Sequence, residues 1–414
     1  MWKGPRAWAV LVSGMPPAQT DTLLKWRSEF PILERKAGYL INNSLGAMPR
    51  KVRQYLNDYA DLWDTEGVEA WHSWLPMVAQ TADLLGSILN APPGTMTMHQ
   101  NVSTLISVLI SGLSFSGRRN KVVLSELNFP SVVYNWMAQR RNGARIQAVK
   151  SRDGGLNLET EDLLAAIDDE TLVVSLDLVL FRSSGLVDVK PVIEKAHRHG
   201  ALVILDCYQA TGAVPIDVRA LGVDFLVGGS VKWLCGGPGA AYLYARQELI
   251  PDFKPRMTGW FSDAHPFDFH FGDVEYAADA HRFMGGSPSM PALHAARAGY
   301  EIIREVGVAA IREKSLRQTS LLMALADEQG LKVNTPRAPH RRGNTVCLDF
   351  EGSEDACRRL IEQGFVVDWR PNGGIRISPH FYNSDAECRS IMEAIRELRR
   401  SGTLQKTPTG PRAH

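Results

Sequence analysis

Asp206 and Lys232 are the side chains on which chemistry can be built. Asp206 ends an apolar run, Leu202–Leu205, and Gln209 stands three residues beyond it. A second run, Phe225–Val227, delivers Ser230 and Lys232, and Gly236-Gly237-Pro238-Gly239 follows. The apolar neighbours Val231, Trp233 and Leu234 set this lysine apart from a solvated surface lysine. Two strands that bring one carboxylate and one amine to the same sheet edge suit a cofactor carrying both a ring nitrogen and an aldehyde. Pyridoxal 5'-phosphate (PLP) is such a cofactor. The amine condenses with its aldehyde, and the carboxylate keeps the ring nitrogen protonated by favouring its charged form. Gln209 could hydrogen-bond the phenolic oxygen. Taken singly, Asp206 reads equally well as a turn residue after a strand.

Other stretches could complete such a site, and each also has a plainer explanation. A phosphate favours a helix N-terminus. Gln100-Asn101-Val102-Ser103-Thr104 places capping residues before an apolar helix, although capping alone explains them. Phe129-Pro130-Ser131 offers a stacking ring at a strand end, where a core phenylalanine would look the same. Arg376, in Gly374-Ile375-Arg376-Ile377, could clamp a carboxylate with two parallel hydrogen bonds or be a surface strand arginine. The glycine run after Lys232 opens no helix, so it suits close backbone approach rather than dinucleotide binding.

The elements that must position these residues alternate. Strands are expected at Val122–Leu124, Arg145–Val149, Thr171–Leu176, Leu202–Leu205, Phe225–Val227 and Ala240–Tyr244. Helices are expected at Ser131–Arg141, Leu158–Ile167 and Val189–His199 between them. This pattern predicts an α/β fold with a mostly parallel sheet and ligands at the carboxyl ends of its strands. Upstream lie helical patterns near Thr22–Phe30, from Met48 onward, at Met77–Leu89 and at Val102–Leu113. Residues 251–287 look irregular and aromatic. Helices return at Ala292–Val306 and Ala309–Glu328. A second α/β layer follows: Thr345–Phe350, Glu354–Gln363, Val366–Asp368, Ile375–Ile377 and Ala386–Arg399.

The 414 residues carry 46 basic and 45 acidic side chains, which gives no electrostatic case for nucleic acid or membrane as partner. Five cysteines without metal-ligand spacing suit a reduced, cytoplasmic protein. The start, MWKGPRAWAVLV, has an apolar run too short for a typical signal peptide, and no stretch approaches the ~20 residues of a membrane span.

Together these motifs resemble class V aminotransferase-fold enzymes, and within them kynureninase most. The similarity covers roughly residues 35 to 399 and rests on the order and spacing of several stretches. They are Asn43-Ser44-Leu45-Gly46, Asn101-Val102-Ser103, Phe129-Pro130-Ser131, Asp206 with Gln209, Ser230–Lys232, Gly259-Trp260-Phe261, Val367-Asp368-Trp369-Arg370, Gly374-Ile375-Arg376 and Tyr382-Asn383-Ser384. The resemblance implies a fold type I PLP enzyme, with a large domain on a mainly parallel seven-stranded sheet and a small α/β domain. We expect the large domain at 61–288, the small one at 38–60 and 289–400, an extension at 1–37 and a disordered tail at 401–414. It also implies PLP on Lys232, Asp206 against the ring nitrogen and Phe129 stacked on the ring. Val102 and Ser103 would hold the phosphate, with Gln209 and Ser230 among the cofactor residues. Asn43 and the carboxylate-binding Arg376 would meet a small amino-acid substrate. Trp260 and Ser287 would reach the cofactor from a neighbouring subunit, making a homodimer.

The departures bear on the reaction. Kynureninases carry a tyrosine before the lysine, where it serves the phosphate and proton transfer; here it is Val231. Their usual histidine three residues after the aspartate is Gln209. Ser287 stands where they have an asparagine, so Gly286-Ser287-Pro288 reads more like the Gly-Thr-Pro of class V aminotransferases and desulfurases. The leading expectation is cleavage of an aryl-keto amino acid such as kynurenine to an anthranilate-type product and alanine. Transamination or another lyase reaction is the alternative. Desulfuration is disfavoured because Cys347, Cys357 and Cys388 fall within expected strands and helices. A non-catalytic binding protein is the remote third reading.

Overall fold

The structure, a computed structural model, describes residues 21–405. The N-terminal apolar run and the tail beyond Gln405 lie outside the described residues. Two short 3-10 helices, Thr22–Glu29 and Pro31–Glu34, lead into a two-residue strand, β1 (Gly38–Tyr39), and then helices α1 (Val52–Glu66) and α2 (Trp71–Leu89). Next come β2 (Met96–His99), α3 (Val102–Ser111), β3 (Lys121–Ser125), α4 (Pro130–Ala138), β4 (Arg145–Val149) and α5 (Thr160–Ala165). They are followed by β5 (Thr171–Asp177), α6 (Lys190–Arg198), β6 (Leu202–Asp206), α7 (Val218–Leu221), β7 (Phe225–Gly229) and β8 (Ala241–Ala245). After an irregular aromatic segment come α8 (Met290–Val306), α9 (Val308–Glu328), β9 (Lys332–Val333), β10 (Val346–Asp349), α10 (Ser353–Glu362), β11 (Phe365–Val366), β12 (Asp368–Arg370), β13 (Gly374–Ile377) and α11 (Asp385–Arg400).

The large sheet has seven strands in the order β2-β8-β7-β6-β5-β3-β4, and only β8 runs against its neighbours. Strands β3, β7 and β8 are buried along their whole length, and β5 and β6 at all but one position, which explains their near-continuous apolar runs. The four-residue β2 was not anticipated: Met96–His99 is too short to show a period. Helix α2 begins six residues before the expected Met77 and carries Pro76 inside it. Burial of Trp74 on one side of the proline and Met77 and Val78 on the other anchors the helix through it.

The second sheet is antiparallel, β12-β13-β10-β9. The single strand expected at Val366–Asp368 is in fact two. β11 pairs in parallel with β1, while β12 folds back on β13. Residues 21–37, expected as an extension, are docked onto this layer. Asp21 accepts from Lys314 Nζ at 2.8 Å and Arg317 Nη2 at 2.9 Å, Arg27 pairs with Glu387 at 2.7 Å, and Phe30 is fully buried. The start of the expected disordered tail is ordered as well, with Arg359 donating to Thr403 O at 2.7 Å and Gln405 N to Asp355 at 3.2 Å. No helix among the described residues is long and apolar enough to cross a membrane.

Candidate active site

Three parallel strands end at one edge of the large sheet, and each delivers part of the site. Apolar β5 and β6 end in Asp177 and Asp206, which are register partners. β7 runs into the loop carrying Lys232. With the first turn of α3 and the start of α4 they enclose a cavity of about 230 Å³. Lys232, Asp206, Asp177, Gln209 and Tyr208 line it from the sheet side, Val102 and Ser103 from α3, and Phe129 from the start of α4.

Close packing holds the lysine loop. Gly46 donates its N–H to Val231 O at 2.8 Å, and a Cβ on Gly46 would lie 2.1 Å from Lys232 O, so glycine is required. Behind the loop, a Cβ on Gly236 would lie 2.7 Å from Ser230 and 3.1 Å from Ala296 of α8. The glycine run therefore serves close approach, as expected, and its neighbour is α8.

Lys232 Nζ sits 4.5 Å from the centroid of the Tyr208 ring and 5.6 Å from that of Phe129. Burial lowers its pKa to about 8, against the pull of Asp206, which favours the ammonium. At pH 7 roughly a tenth of such an amine is neutral and able to attack an aldehyde or take a proton. Burial raises Asp206 to about 6, offset by the Tyr208 N–H it accepts at 2.8 Å and by Lys232. Burial and the Asp206 charge push Asp177 well above the ordinary carboxylate range, although it accepts from Phe129 N at 3.0 Å and Asn128 Nδ2 at 2.9 Å. Side by side and dry, the two carboxyls share a proton more readily than both ionise.

The remaining cavity groups are set for a phosphorylated aromatic ring. Asn101 Oδ1 caps α3 by accepting from Thr104 N at 2.9 Å, which leaves the first-turn N–H groups of Val102 and Ser103 without an intrahelical partner. Phe129 is 42% exposed, so it is no core phenylalanine, and its ring meets Phe181 edge to face at 5.3 Å. Gln209 Nε2 donates to Asn43 O at 2.9 Å and Oε1 accepts from Trp233 Nε1 at 3.1 Å, which leaves one amide hydrogen for the cavity. An amine, a buried carboxylate, a half-exposed ring and free helix N–H groups around one cavity fit PLP.

Arg376 is 3% exposed, which rules out the surface reading. Its Nε and Nη2 donate to Asp368 at 2.7 and 2.5 Å, and Nη1 donates to Phe181 O at 2.7 Å. The Asn43 amide, oriented to satisfy the network, brings its oxygen within 2.9 to 3.2 Å of the same guanidinium. Three expected cofactor residues do not reach the cavity of their own chain. Ser230 is spent inside the fold, with Oγ donating to Ala240 O at 2.5 Å and meeting the Tyr300 hydroxyl. Trp260 packs on Phe261 at 4.1 Å and Phe269 at 5.9 Å, and Ser287 lines a separate cleft with Gln100 and Thr104. Trp71 and Trp74 pack on each other at 5.4 Å and belong to the α2 core.

Sequence reasoning missed Asp177, Tyr208 and Phe181. Asp177 had a signal: it ends its apolar run as Asp206 ends the next. Tyr208 was passed over between Asp206 and Gln209, and nothing local marks Phe181.

A model of the aminotransferase class-V family matches residues 39–387. The kynureninase of Geobacillus thermodenitrificans (strain NG80-2) is 29% identical over 94% of this chain and 94% of its own. YcbU, an uncharacterized aminotransferase of Bacillus subtilis (strain 168), is 30% identical over 90% of this chain and 96% of its own. Among solved structures, the apo cysteine desulfurase of Thermococcus onnurineus NA1 has a TM-score of 0.81 at 20% identity, covering 94% of this chain and 100% of that one. That likeness shows the fold. The chain belongs to the class-V aminotransferase family, fold type I enzymes whose cofactor is pyridoxal phosphate.

Proposed function

We propose that this enzyme is kynureninase-like: it hydrolyses an L-amino acid bearing an aryl γ-ketone, converting L-kynurenine and water to anthranilate and L-alanine. The observation that carries this reading is the aromatic wall beside the lysine. Beyond the ring expected to stack the cofactor, Phe181, edge to face with Phe129, and Val179 line the same cavity, a surface suited to an aryl ketone. The kynureninase relative supports it. Desulfuration needs an accessible cysteine, and all five thiols are buried. Burial also raises the pKa of each, Cys235 to about 12 and Cys347 to about 11. Buried unpaired thiols suit a reducing compartment such as the cytoplasm.

Bound PLP supplies an aldehyde carbon and an electron-withdrawing ring. Lys232 would hold the aldehyde, and its Nζ is the group that would take the substrate's α-proton. Asp206 would keep the ring nitrogen protonated, Val102 and Ser103 would offer N–H groups to the phosphate, and Phe129 would stack on the ring. Arg376 lies behind the cavity wall with its donors on Asp368, Phe181 O and Asn43, and would meet a substrate carboxylate by exchanging the uncharged Asn43 contact for it. We further propose a homodimer in which Trp260 and Ser287 border the partner's cavity. The aromatic segment that carries Trp260 exposes Phe267 (54%) and Phe269 (74%), an apolar surface suited to a second copy. Light scattering would read the mass.

The second reading is transamination, favoured by Val231, which cannot supply a hydroxyl, and by the YcbU relative. Incubating the yellow holoenzyme with L-kynurenine or 3-hydroxykynurenine separates the two. Anthranilate fluorescence, abolished by Lys232→Ala, is expected. Conversion of the cofactor to its pyridoxamine form without anthranilate would replace our reading with the second.

A further inference from the structure

We infer that Tyr208 supplies the cavity's phenolic hydroxyl, donating it to the phosphate of the bound cofactor in place of the hydroxyl that Val231 lacks. The inference rests on PLP binding in this cavity and is independent of which amino acid is the substrate.

Tyr208 follows Asp206 by two residues, and its main-chain N–H is anchored on the Asp206 carboxylate at 2.8 Å. Its ring turns toward the lysine, 4.5 Å from Nζ. It lines one cavity with Asn101, Val102 and Ser103 at the start of α3. The ring thus shares a cavity with the lysine and with the helix start whose first-turn N–H groups are free. The end of β7 is shaped for it: a Cβ on Gly229 would lie 2.4 Å from Tyr208 Cζ and 2.5 Å from its hydroxyl oxygen. Glycine at 229, where φ is not positive and any residue could sit, is explained by that approach. Among the described residues the hydroxyl has no hydrogen-bond partner within the chain, although Tyr208 lines the cavity. Burial raises its pKa to about 12, so it remains an O–H donor across the working range. A neutral donor beside free helix N–H groups suits an anionic oxygen. Val231 spends its carbonyl on Gly46 and has no side-chain donor.

Tyr208→Phe keeps the ring and removes only the hydroxyl. Cofactor is stripped from the full-length protein, and binding of PLP and of pyridoxal, which lacks the phosphate, is followed by fluorescence quenching. We expect PLP to bind about tenfold more weakly to the variant, with pyridoxal unchanged. We also expect inorganic phosphate to slow PLP loading of wild type and to slow that of the variant far less. An unchanged PLP affinity, or equal weakening of PLP and pyridoxal, would overturn the inference. Should Tyr208→Phe fold poorly by circular dichroism, the pyridoxal and phosphate competition on wild type still decides. Phosphate that leaves PLP loading untouched would sink the inference, and failure of kynurenine turnover alone would leave the binding result standing.

Discussion

Lys232, which lines the cavity, and the buried Arg376 are cations close enough to repel one another, and their surroundings treat them in opposite ways. Arg376 is fully satisfied: Asp368 takes it bidentately, and Phe181 O and Asn43 complete the donors. Lys232 faces two aromatic rings, and Asp206 and Asp177 act on it through space without an ion pair among the described residues. One region is a finished electrostatic structure. The other holds an amine and two carboxyls whose protonation burial has shifted, the condition expected where a charged ligand belongs. Arg376 is prepared by rigidity and Lys232 by incompleteness.

The same swap, carboxylate to amide, should therefore act with opposite sign in the two regions. Asp368→Asn removes the charge opposite a buried guanidinium and should destabilise the protein by roughly 3 kcal/mol in urea unfolding at pH 7. A loss under about 1 kcal/mol would mean that Asn43 and the Phe181 carbonyl satisfy Arg376 without it. Asp206→Asn should do the reverse in the cofactor-free protein. Its carboxyl is raised to about 6 from an ordinary 3.8, so its contribution to stability is complete below pH 3.8 and is lost as the pH rises through about 6. Asparagine does not ionise and still accepts the Tyr208 N–H. The variant should gain on the order of 1–3 kcal/mol over wild type at pH 7.5 and nothing at pH 4. The holoenzyme should show the opposite, with faster loss of its yellow band on dialysis. A cofactor-free variant less stable than wild type at pH 7.5 would break the comparison.

The incomplete region was the more legible in sequence, for a physical reason. Buried parallel strands are unbroken apolar runs, so a charge at the end of one stands out, as Asp206 does, and Lys232 stands out among apolar neighbours. Phe129 and Val102 mark strand-to-helix boundaries that proline and asparagine signal locally. The finished region depends on partners far apart in the chain. Arg376 meets Asp368 across a hairpin, Phe181 from the turn after β5 and Asn43 from the N-terminal turn, and no local pattern encodes such a meeting. The pairing of β11 with β1 was hidden likewise, because two-residue strands have no period. Gly46 was quoted as part of a motif, but its role, leaving room for Lys232 O, exists only once the loops are folded together.

Asp177 tests the comparison at its finest, because it sits in the incomplete region yet already has two donors. Asn128 Nδ2 and Phe129 N would favour its ionised form, while burial and Asp206 favour the neutral one. The net direction is upward, so we assign the proton of the pair to Asp177 and the charge to Asp206. Asp177→Asn then imitates a state the protein already occupies. It should move the pH midpoint of the holoenzyme's visible absorption by less than about half a unit, at the cost of one hydrogen bond to the start of α4, about 1 kcal/mol. Removing a charge near Lys232 would instead lower that midpoint, because the protonated amine would lose an attraction. A fall of a full unit would therefore put the ionised carboxylate on Asp177, and Asp206 would be the member of the pair that waits for the ring nitrogen in its neutral form.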